Sequence, residues 1–284
     1  MFSGDYGFFD YKYDISGYSG QDFGGPAQTL YLGLSALLLI LLLTALRGAS
    51  RQWIRRVIGF TGIFLTLLYL GKTAWESYHD IQRFGAFNFY LLPLDTCSIV
   101  MPAALLAGFG RGRVRQAAES WLATGSVVGG VATMVRLNAF YYYPFFSFGA
   151  LYSMLWHLLM VFLGLLVLVT RLRSAGDPSL PEAERGVGLS TLKGGFCFHL
   201  LFSLVVIPVD FLFDFDFMLY RNLGGVPFFE DLAARLTAAG LTFLNPLLML
   251  LLYLLAFALI LFLARAAALI VRSIRTRLLK RRTT

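Results

Sequence analysis

Residues 243–264 read FLNPLLMLLLYLLAFALILFLA, a run without a single Asp, Glu, Lys or Arg. A helix needs about 20 apolar residues to cross a hydrocarbon core of about 30 Å, so this run is long enough to span a bilayer. The rest of the chain has the same character, because 58% of its 284 residues are hydrophobic and only 14% are charged. A soluble domain carries roughly 25% charged residues. The sequence therefore predicts an all-α, polytopic integral membrane protein.

Seven apolar blocks reach the length of a membrane span. They lie at residues 28–46, 57–75, 89–110, 116–138, 148–170, 190–213 and 243–270. The fourth block is the least apolar and has Gly125, Gly129 and Gly130 in its middle, where small residues permit close helix packing within a membrane. A re-entrant or surface-lying segment is the alternative interpretation of this block. Taken together, the blocks predict seven transmembrane helices.

The distribution of charge predicts the orientation of these helices. Basic residues follow the first, third, fifth and seventh blocks; they are Arg47, Arg51, Arg55, Arg56, Arg111, Arg113, Arg115, Arg171, Arg173, Arg185, Lys193, Arg272, Arg275, Arg277, Lys280, Arg281 and Arg282. Acidic residues lie before the first block and after the sixth; they are Asp5, Asp10, Asp14, Asp22, Asp214, Asp216, Glu230 and Asp231. Because Lys and Arg accumulate in cytoplasmic loops, we expect the N-terminus outside and the C-terminus in the cytoplasm.

This topology divides the chain into three parts. Residues 1–27 form an extracytoplasmic leader rich in aromatic residues and Gly, residues 28–272 the transmembrane domain, and residues 273–284 a basic cytoplasmic tail. The net charge of +8 does not indicate a nucleic-acid partner, because the cationic residues lie in short clusters between the apolar blocks. We expect the tail to lie near anionic lipid of the inner leaflet, which attracts clusters of Lys and Arg.

Two reactive side chains lie at nearly the same predicted depth. Cys97 belongs to the run Leu-Leu-Pro-Leu-Asp-Thr-Cys-Ser and lies about 12 Å below the outer start of the third block. His157 lies about 13 Å below the outer start of the fifth block, which enters from the same side. A cysteine becomes a nucleophile when a nearby base takes its proton. The alternative is that Cys97 is a small apolar residue in a helix interface, as many buried cysteines are.

Four further polar residues are candidates for a supporting role. Ser153 lies one turn outward of the histidine on the same helix face. Asp210, in the sixth block, can accept a hydrogen bond from an imidazole nitrogen and so orient the ring. Arg136 lies at the outer end of the fourth block, where a helix-end group reaching the interface is the favoured interpretation. Asp95 falls on the opposite side of an α-helix from Cys97, so we expect no direct contact between them.

The remaining histidines do not indicate a metal site. His199 lies in the cytoplasmic half of the sixth block and is expected to be a buried histidine with satisfied hydrogen bonds. His79 is expected in an outer loop. Because three histidines at different depths cannot form a typical multi-histidine site, the sequence predicts neither a metal nor another cofactor.

Several short motifs resemble those of a known family. They are the Leu-Pro-Leu-x-x-Cys run at Leu92–Cys97, the pair Gly129-Gly130 before an outer aromatic-Pro turn, the stretch Ser153–His157, and the sequence Phe217–Tyr220 followed by Gly225–Pro227. In these motifs the chain resembles the YwaF-type bacterial integral membrane proteins. That family is related to mammalian transmembrane protein 164, an acyltransferase that builds arachidonoyl ether phospholipids. More widely, it is similar to the androgen-induced-protein type of membrane lipid hydrolase, which uses Thr with His.

The resemblance covers roughly residues 30–270 and implies a fold and an activity. It implies seven spans around a lipid-accessible cavity, with acyl transfer from one lipid to another. The cysteine of the family falls on Cys97 and its histidine on His157. The resemblance to a bacterial family also implies the plasma (inner) membrane of a bacterium as the location.

The sequence therefore leads to two hypotheses. In the first, His157 deprotonates Cys97, the thiolate attacks a phospholipid ester, and the resulting thioester passes its acyl group to a lyso-lipid. Water as the acceptor would make the same protein a lipase. In the second, the protein is a non-enzymatic lipid-binding or carrier protein whose outer polar residues hold a lipid head group. Phospholipids and lyso-lipids are the expected partners in the first hypothesis.

Overall fold

The computed structural model describes residues 6–16, 18, 20, 24–135, 137, 139–179, 184–223 and 227–283. Within these ranges the regular secondary structure is helical, which confirms the all-α class. Arg136, one of the predicted supporting residues, lies outside the described residues.

The described ranges contain the following α-helices, in chain order: α1 (Pro26–Ala45), α2 (Arg51–Phe84), α3 (Val100–Phe109), α4 (Gly112–Trp121), α5 (Val127–Val135), α6 (Ala139–Tyr142), α7 (Phe148–Arg173), α8 (Leu189–Phe213), α9 (Pro227–Ala238) and α10 (Asn245–Thr283). Short 3₁₀ helices cover Phe89–Leu91, Thr96–Ile99 and Thr242–Leu244, and a π-helix covers Leu122–Ser126.

Six helical segments of the described chain are long and apolar enough to cross a membrane. They are Pro26–Ala45, Arg51–Phe84, Phe89–Phe109, Phe148–Arg173, Leu189–Phe213 and Thr242–Val271. The protein is therefore an integral membrane protein with several apolar helices. The fourth predicted block is helical from Gly112 to Val135 in three successive segments, α4, the π-helix and α5. At 1.5 Å per residue this stretch is about 36 Å long.

The third predicted block is not one regular helix. After the 3₁₀ helix at Phe89–Leu91 the backbone is extended at Leu92 and again at Asp95, where ψ is 154°. Pro93 explains the break, because proline lacks an N–H and disfavours helical geometry in the residue before it. Regular α-helix begins only at Val100, so Cys97 lies in the 3₁₀ helix that precedes α3.

Helix α2 extends beyond the second predicted block at both ends. Helix α2 begins after Ser50, whose side chain accepts a hydrogen bond from the Trp53 amide at 3.3 Å. It continues to Phe84 and ends at Gly85, where a left-handed backbone with φ of 69° requires a residue without a β-carbon. His79, expected in a loop, is therefore a helical residue of α2.

The chain forms two compact units, Met1–Gly110 with Gly129–Leu163 and Arg111–Val128 with Gly164–Thr284. In the first unit α2 packs against α3, and Gly62 permits the approach: a β-carbon there would lie 2.9 Å from Ala104 Cβ. In the second unit α8 packs against α4 and α10, with Trp121 and Phe257 fully buried on either side of Gly125.

Candidate functional site

Cys97 lies near two tyrosines and two charged side chains of the first unit. The charges of Asp95 and Lys72 both act on its thiol. The hydroxyl groups of Tyr69 on α2 and Tyr152 on α7 are also within electrostatic reach of the sulfur. The helical-wheel argument that separated Asp95 from Cys97 does not hold, because the chain is not α-helical between these residues.

The packing of α2 against α3 places Lys72 at the depth of Cys97. Gly62 and Ala104 are in contact and define a common level. Lys72 lies ten residues outward of Gly62 on α2, a rise of about 15 Å. Cys97 lies seven residues outward of Ala104, partly in 3₁₀ geometry with its larger rise, which gives about 12 Å. The thiol and the ammonium group therefore lie at the same level to within about one helical turn.

Lys72 is held in place by two contacts. Its ammonium group forms an ion pair with Glu76, one turn further along α2. The same Nζ atom lies 5.6 Å from the centre of the Tyr152 ring, within range of a cation–π interaction. Glu76 is buried, whereas the Lys72 side chain is 23% exposed. A cation favours and a carboxylate disfavours the thiolate form of a nearby cysteine, so the charge of Lys72 acts against that of Asp95.

His157 is buried on α7 in a defined orientation. Its Nδ1 atom lies 2.7 Å from the carbonyl oxygen of Ser153 and 3.4 Å from the Ser153 hydroxyl. A carbonyl oxygen can only accept, so Nδ1 carries the proton and Nε2 keeps its lone pair. Ser153 therefore lies one turn outward on the same face, and its backbone orients the ring with Nε2 available as a base.

His157 and Cys97 are close in depth but are not hydrogen-bonded to each other. A β-carbon at Gly129 would lie 3.4 Å from Met160 Cε and 3.9 Å from Cγ2 of Thr96, the neighbour of Cys97. His157 precedes Met160 by three residues, about 4.5 Å along α7. In the described part of the chain, however, the hydrogen bonds of the His157 ring go to Ser153 alone.

The aromatic face of α7 turns toward Cys97. Tyr152, Trp156 and Met160 follow one another at intervals of four residues and so share one face. Tyr152 and Trp156 are stacked, with ring centroids 5.6 Å apart, and Trp156 also lies 5.7 Å from Tyr69. His157 lies about 140° around the helix from Tyr152, because five residues separate them.

The segment around Tyr11 is attached to the C-terminal part of α2. The Tyr11 hydroxyl donates to Asp80 Oδ1 at 2.8 Å, and Asn88 Nδ2 donates to Asp80 Oδ2 at 3.1 Å. Trp75 Nε1 donates to the carbonyl oxygen of Phe9 at 3.2 Å. Tyr11 and Asp80 are both buried. The segment around Tyr11 therefore covers the end of α2 that carries Lys72 and Glu76.

Asp210 has a structural task in the second unit. Its Oδ1 atom accepts a hydrogen bond from the Phe217 amide at 3.0 Å, and its carbonyl oxygen accepts from the Phe215 amide at 3.0 Å. These bonds hold the outer segment that follows α8, where Asp214 and Leu219 have positive φ angles. We expected Asp210 to orient an imidazole; in the described part of the chain its carboxylate instead binds this segment.

His199 is part of a closed hydrogen-bond network, as expected for a satisfied buried histidine. Trp121 Nε1 donates to its Nδ1 atom at 3.4 Å, so the ring proton lies on Nε2. Nε2 lies 3.4 Å from the Tyr220 hydroxyl, which in turn lies 2.5 Å from the Ser203 hydroxyl. Ser203 donates to the carbonyl oxygen of His199 at 2.9 Å.

The residues of α2 and α7 near Cys97 were not predicted from the sequence. Lys72 and Glu76 stand four residues apart, the spacing of an intrahelical ion pair, and this signal was present in the sequence. Tyr69, Tyr152 and Trp156 gave no signal of their own, because aromatic residues are frequent throughout the chain. In the described residues no group of three or more His, Cys, Asp or Glu side chains is placed to hold a metal ion.

Comparison of the chain with protein-family models, with curated proteins and with solved structures found no match.

Proposed function

We propose that this protein is a membrane-embedded acyltransferase that moves a fatty acyl group between lipids through a thioester on Cys97. The observation that carries the proposal is the position of Cys97. The break at Pro93 removes it from a regular helix and places it in a 3₁₀ turn. There it lies near the Lys72–Glu76 ion pair and two tyrosine hydroxyls. An unreactive packing role requires none of these polar neighbours.

The proposed reaction has two halves. In the first, the proton of the Cys97 thiol passes to Nε2 of His157, the sulfur attacks an ester carbonyl of a phospholipid, and the ester C–O bond breaks. The departing lyso-lipid alkoxide takes the proton back from the imidazolium. In the second half, His157 deprotonates the hydroxyl of an acceptor lyso-lipid, which attacks the thioester; the C–S bond breaks, and the released thiolate takes the proton back from His157.

Lys72 and His157 have different tasks in this scheme. The ammonium group of Lys72 stabilises the thiolate electrostatically, while Nε2 of His157 accepts the proton. Because the ring and the thiol are not hydrogen-bonded to each other in the described residues, and His157 lies about 140° around α7 from Tyr152, the proton transfer requires the two side chains to approach each other when substrate binds. Catalytic hydrogen bonds are often long or poorly aligned in the absence of substrate and tighten when it binds.

The membrane topology belongs to the same proposal. The helical stretch from Gly112 to Val135 acts as a seventh span, which places the N-terminus outside and the basic C-terminus in the cytoplasm by the positive-inside rule. The tail, helical to Thr283, then lies near anionic inner-leaflet lipid. The resemblance to the YwaF-type family supports a bacterial plasma membrane as the location, with phospholipids and lyso-lipids as partners.

A transfer assay tests the proposal. Purified protein is incubated with a phospholipid labelled in its acyl chain and an unlabelled lyso-lipid, and labelled product is quantified by mass spectrometry. We expect transfer by the wild type and by Cys197→Ala, since Cys197 is an exposed residue of the second unit. We expect none from Cys97→Ala. Transfer by Cys97→Ala would refute the mechanism, and lipid binding without turnover in every variant would favour the lipid-carrier alternative.

A further inference from the structure

Trp156 carries a hydrogen-bond donor that is buried without an acceptor. The side chain is 2% exposed, and within the described residues its Nε1 atom has no hydrogen-bond partner. Leaving a buried donor unpaired costs about 1–3 kcal/mol, so such groups are rare in native proteins and call for an explanation. A ligand that supplies an acceptor at this position is one explanation.

The other tryptophans of the chain differ from Trp156. Trp75 Nε1 donates to the carbonyl oxygen of Phe9 at 3.2 Å, and Trp121 Nε1 donates to His199 Nδ1 at 3.4 Å. Trp53 is an exposed residue near the start of α2. Trp156 is therefore the one tryptophan among the described residues whose indole N–H is buried and unpaired.

The position of Trp156 on α7 directs it toward Cys97. It lies between Tyr152 and Met160 on one helix face. Tyr152 is within electrostatic reach of the Cys97 sulfur. Met160 Cε and Thr96 Cγ2 both lie within 4 Å of the position that a β-carbon at Gly129 would take. Trp156 thus faces the 3₁₀ turn from the middle of this stripe, and it also packs against Tyr69, 5.7 Å away between ring centroids.

We propose that the indole N–H of Trp156 binds the carbonyl oxygen of a fatty acyl ester held at Cys97. This inference rests on the proposed function and supplies the donor that the reaction needs. As the sulfur bonds to the carbonyl carbon, the C=O electron pair moves to the oxygen, and the oxyanion accepts a hydrogen bond from Nε1. When the intermediate collapses, the C–O bond to the lyso-lipid breaks, and the oxygen returns to a carbonyl of the thioester.

A single indole donor in a water-poor site can make a large contribution. Donors fixed before the reaction stabilise the charge that develops on the oxygen without reorganising, and removal of one such donor typically lowers kcat by about 10²–10³-fold. Tryptophan has no acceptor atom, so Nε1 can serve an oxygen ligand but not a cation or a donor.

A binding experiment tests the inference without requiring turnover. Cys97→Ala protein with ¹⁵N-labelled tryptophan is titrated with dihexanoyl phosphatidylcholine, and in parallel with its dihexyl ether analogue, which keeps the chains and head group but lacks both carbonyls. We expect the ester to move the Trp156 indole proton resonance downfield and the ether to leave it unchanged. Trp156→Phe identifies the resonance. The same shift with both lipids, or no shift with the ester, would overturn the inference.

A kinetic comparison separates this inference from the proposed function. We expect Trp156→Phe to slow acyl-adduct formation on Cys97 by about 10²-fold. The control is Trp75→Phe, because the indole N–H of Trp75 is already bonded to Phe9; we expect this variant to change the rate less than threefold. An adduct formed by Trp156→Phe at the wild-type rate would refute the role of Trp156 and leave the function standing. An ester-specific shift without any adduct in the wild type would retain carbonyl binding and refute the transferase.

Discussion

The Nδ1 atom of His157 lies 2.7 Å from the carbonyl oxygen of Ser153, and this one bond determines which ring nitrogen is available for chemistry. The acceptor is a backbone atom, so the orientation of the ring follows from the helix and does not depend on the Ser153 side chain. His199 is arranged in the opposite sense, because its Nδ1 atom accepts from Trp121.

The two buried histidines should therefore be opposite tautomers. We expect His157 to carry its proton on Nδ1 and His199 on Nε2, each in the neutral form. Two-bond ¹H–¹⁵N correlation spectra of ¹⁵N-histidine-labelled protein distinguish the two patterns, with His157→Gln and His199→Gln as assignment controls. Ser153→Ala should leave the His157 pattern unchanged, since the carbonyl bond remains. The Nε2-protonated pattern at His157 would show that this nitrogen already carries a proton and cannot act as the proposed base.

Lys72 should control the reactivity of the Cys97 thiol. In a Cys197→Ser background, we expect Lys72→Met to slow alkylation of Cys97 by a small maleimide at pH 7.5 by about tenfold, because the loss of the cation destabilises the thiolate. Lys72→Arg keeps the charge and should react within about threefold of the parent. Equal slowing in both variants would show that Lys72 acts through packing and not through its charge.

Attachment of the leader should weaken at high pH. Burial, followed by the hydrogen bond to Asp80, raises the pKa of Tyr11 well above its usual value, which is about 10 in a solvated tyrosine. Glu76, Asp80 and Tyr143 act on the ring in the same direction, and Lys12 lies over its face. The Tyr11 phenol therefore ionises near pH 10 in the detached leader, whereas in the attached leader it stays neutral at that pH. The contribution of this group is complete below about pH 10 and is lost as the pH rises above it.

Limited proteolysis of the leader in detergent measures this effect. Cleavage of the wild type relative to Tyr11→Phe should increase between pH 9 and about pH 11, because the variant has no phenol to ionise at that position. Burial raises the pKa of Tyr18 to about 12, and because Tyr18 is present in both proteins its ionisation does not change the cleavage ratio. A cleavage ratio that stays constant over this range would contradict the assignment of Tyr11 to the attachment.

Close packing of α2 against α3 should depend on Gly62. A β-carbon at this residue would lie 2.9 Å from Ala104 Cβ and 3.0 Å from the Leu105 amide nitrogen, and a backbone atom cannot move aside easily. We expect Gly62→Ala to destabilise the protein by about 1–3 kcal/mol. Gly71→Ala on the same helix meets no atom within 4 Å and should leave the thermal midpoint unchanged or slightly raised. Equal thermal midpoints for Gly62→Ala and Gly71→Ala would contradict a close contact between Gly62 and α3.

The apolar pattern predicted those helices whose ends coincide with a change from apolar to polar residues. The blocks at 148–170 and 190–213 match α7 and α8 to within about three residues. The outer extension of α2 could not be predicted in this way. Lys72 lies near the end of the predicted block and Glu76 beyond it, and the contact of Lys72 with the Tyr152 ring and the burial of Glu76 depend on tertiary packing.

The candidate site, like the helices, could be predicted from the sequence only in part. The residues Cys97 and His157 and their common depth could be predicted from block positions alone. Pro93 indicates a break before α3, but the apolar residues around it led to the prediction of one continuous span. The neighbours of Cys97 depend on how α2, α3 and α7 face one another, and periodicity within a single helix does not determine this.

The most direct test of the central claim is the acyl adduct on Cys97. Purified protein is incubated with a phospholipid carrying a labelled acyl chain, denatured and digested, and the peptides are analysed by mass spectrometry with and without neutral hydroxylamine, which cleaves thioesters but spares ordinary esters. We expect a hydroxylamine-sensitive acyl group on the peptide that contains Cys97, absent in Cys97→Ser and retained in Cys197→Ala. An adduct on another residue, or acyl transfer without any adduct on Cys97, would contradict it.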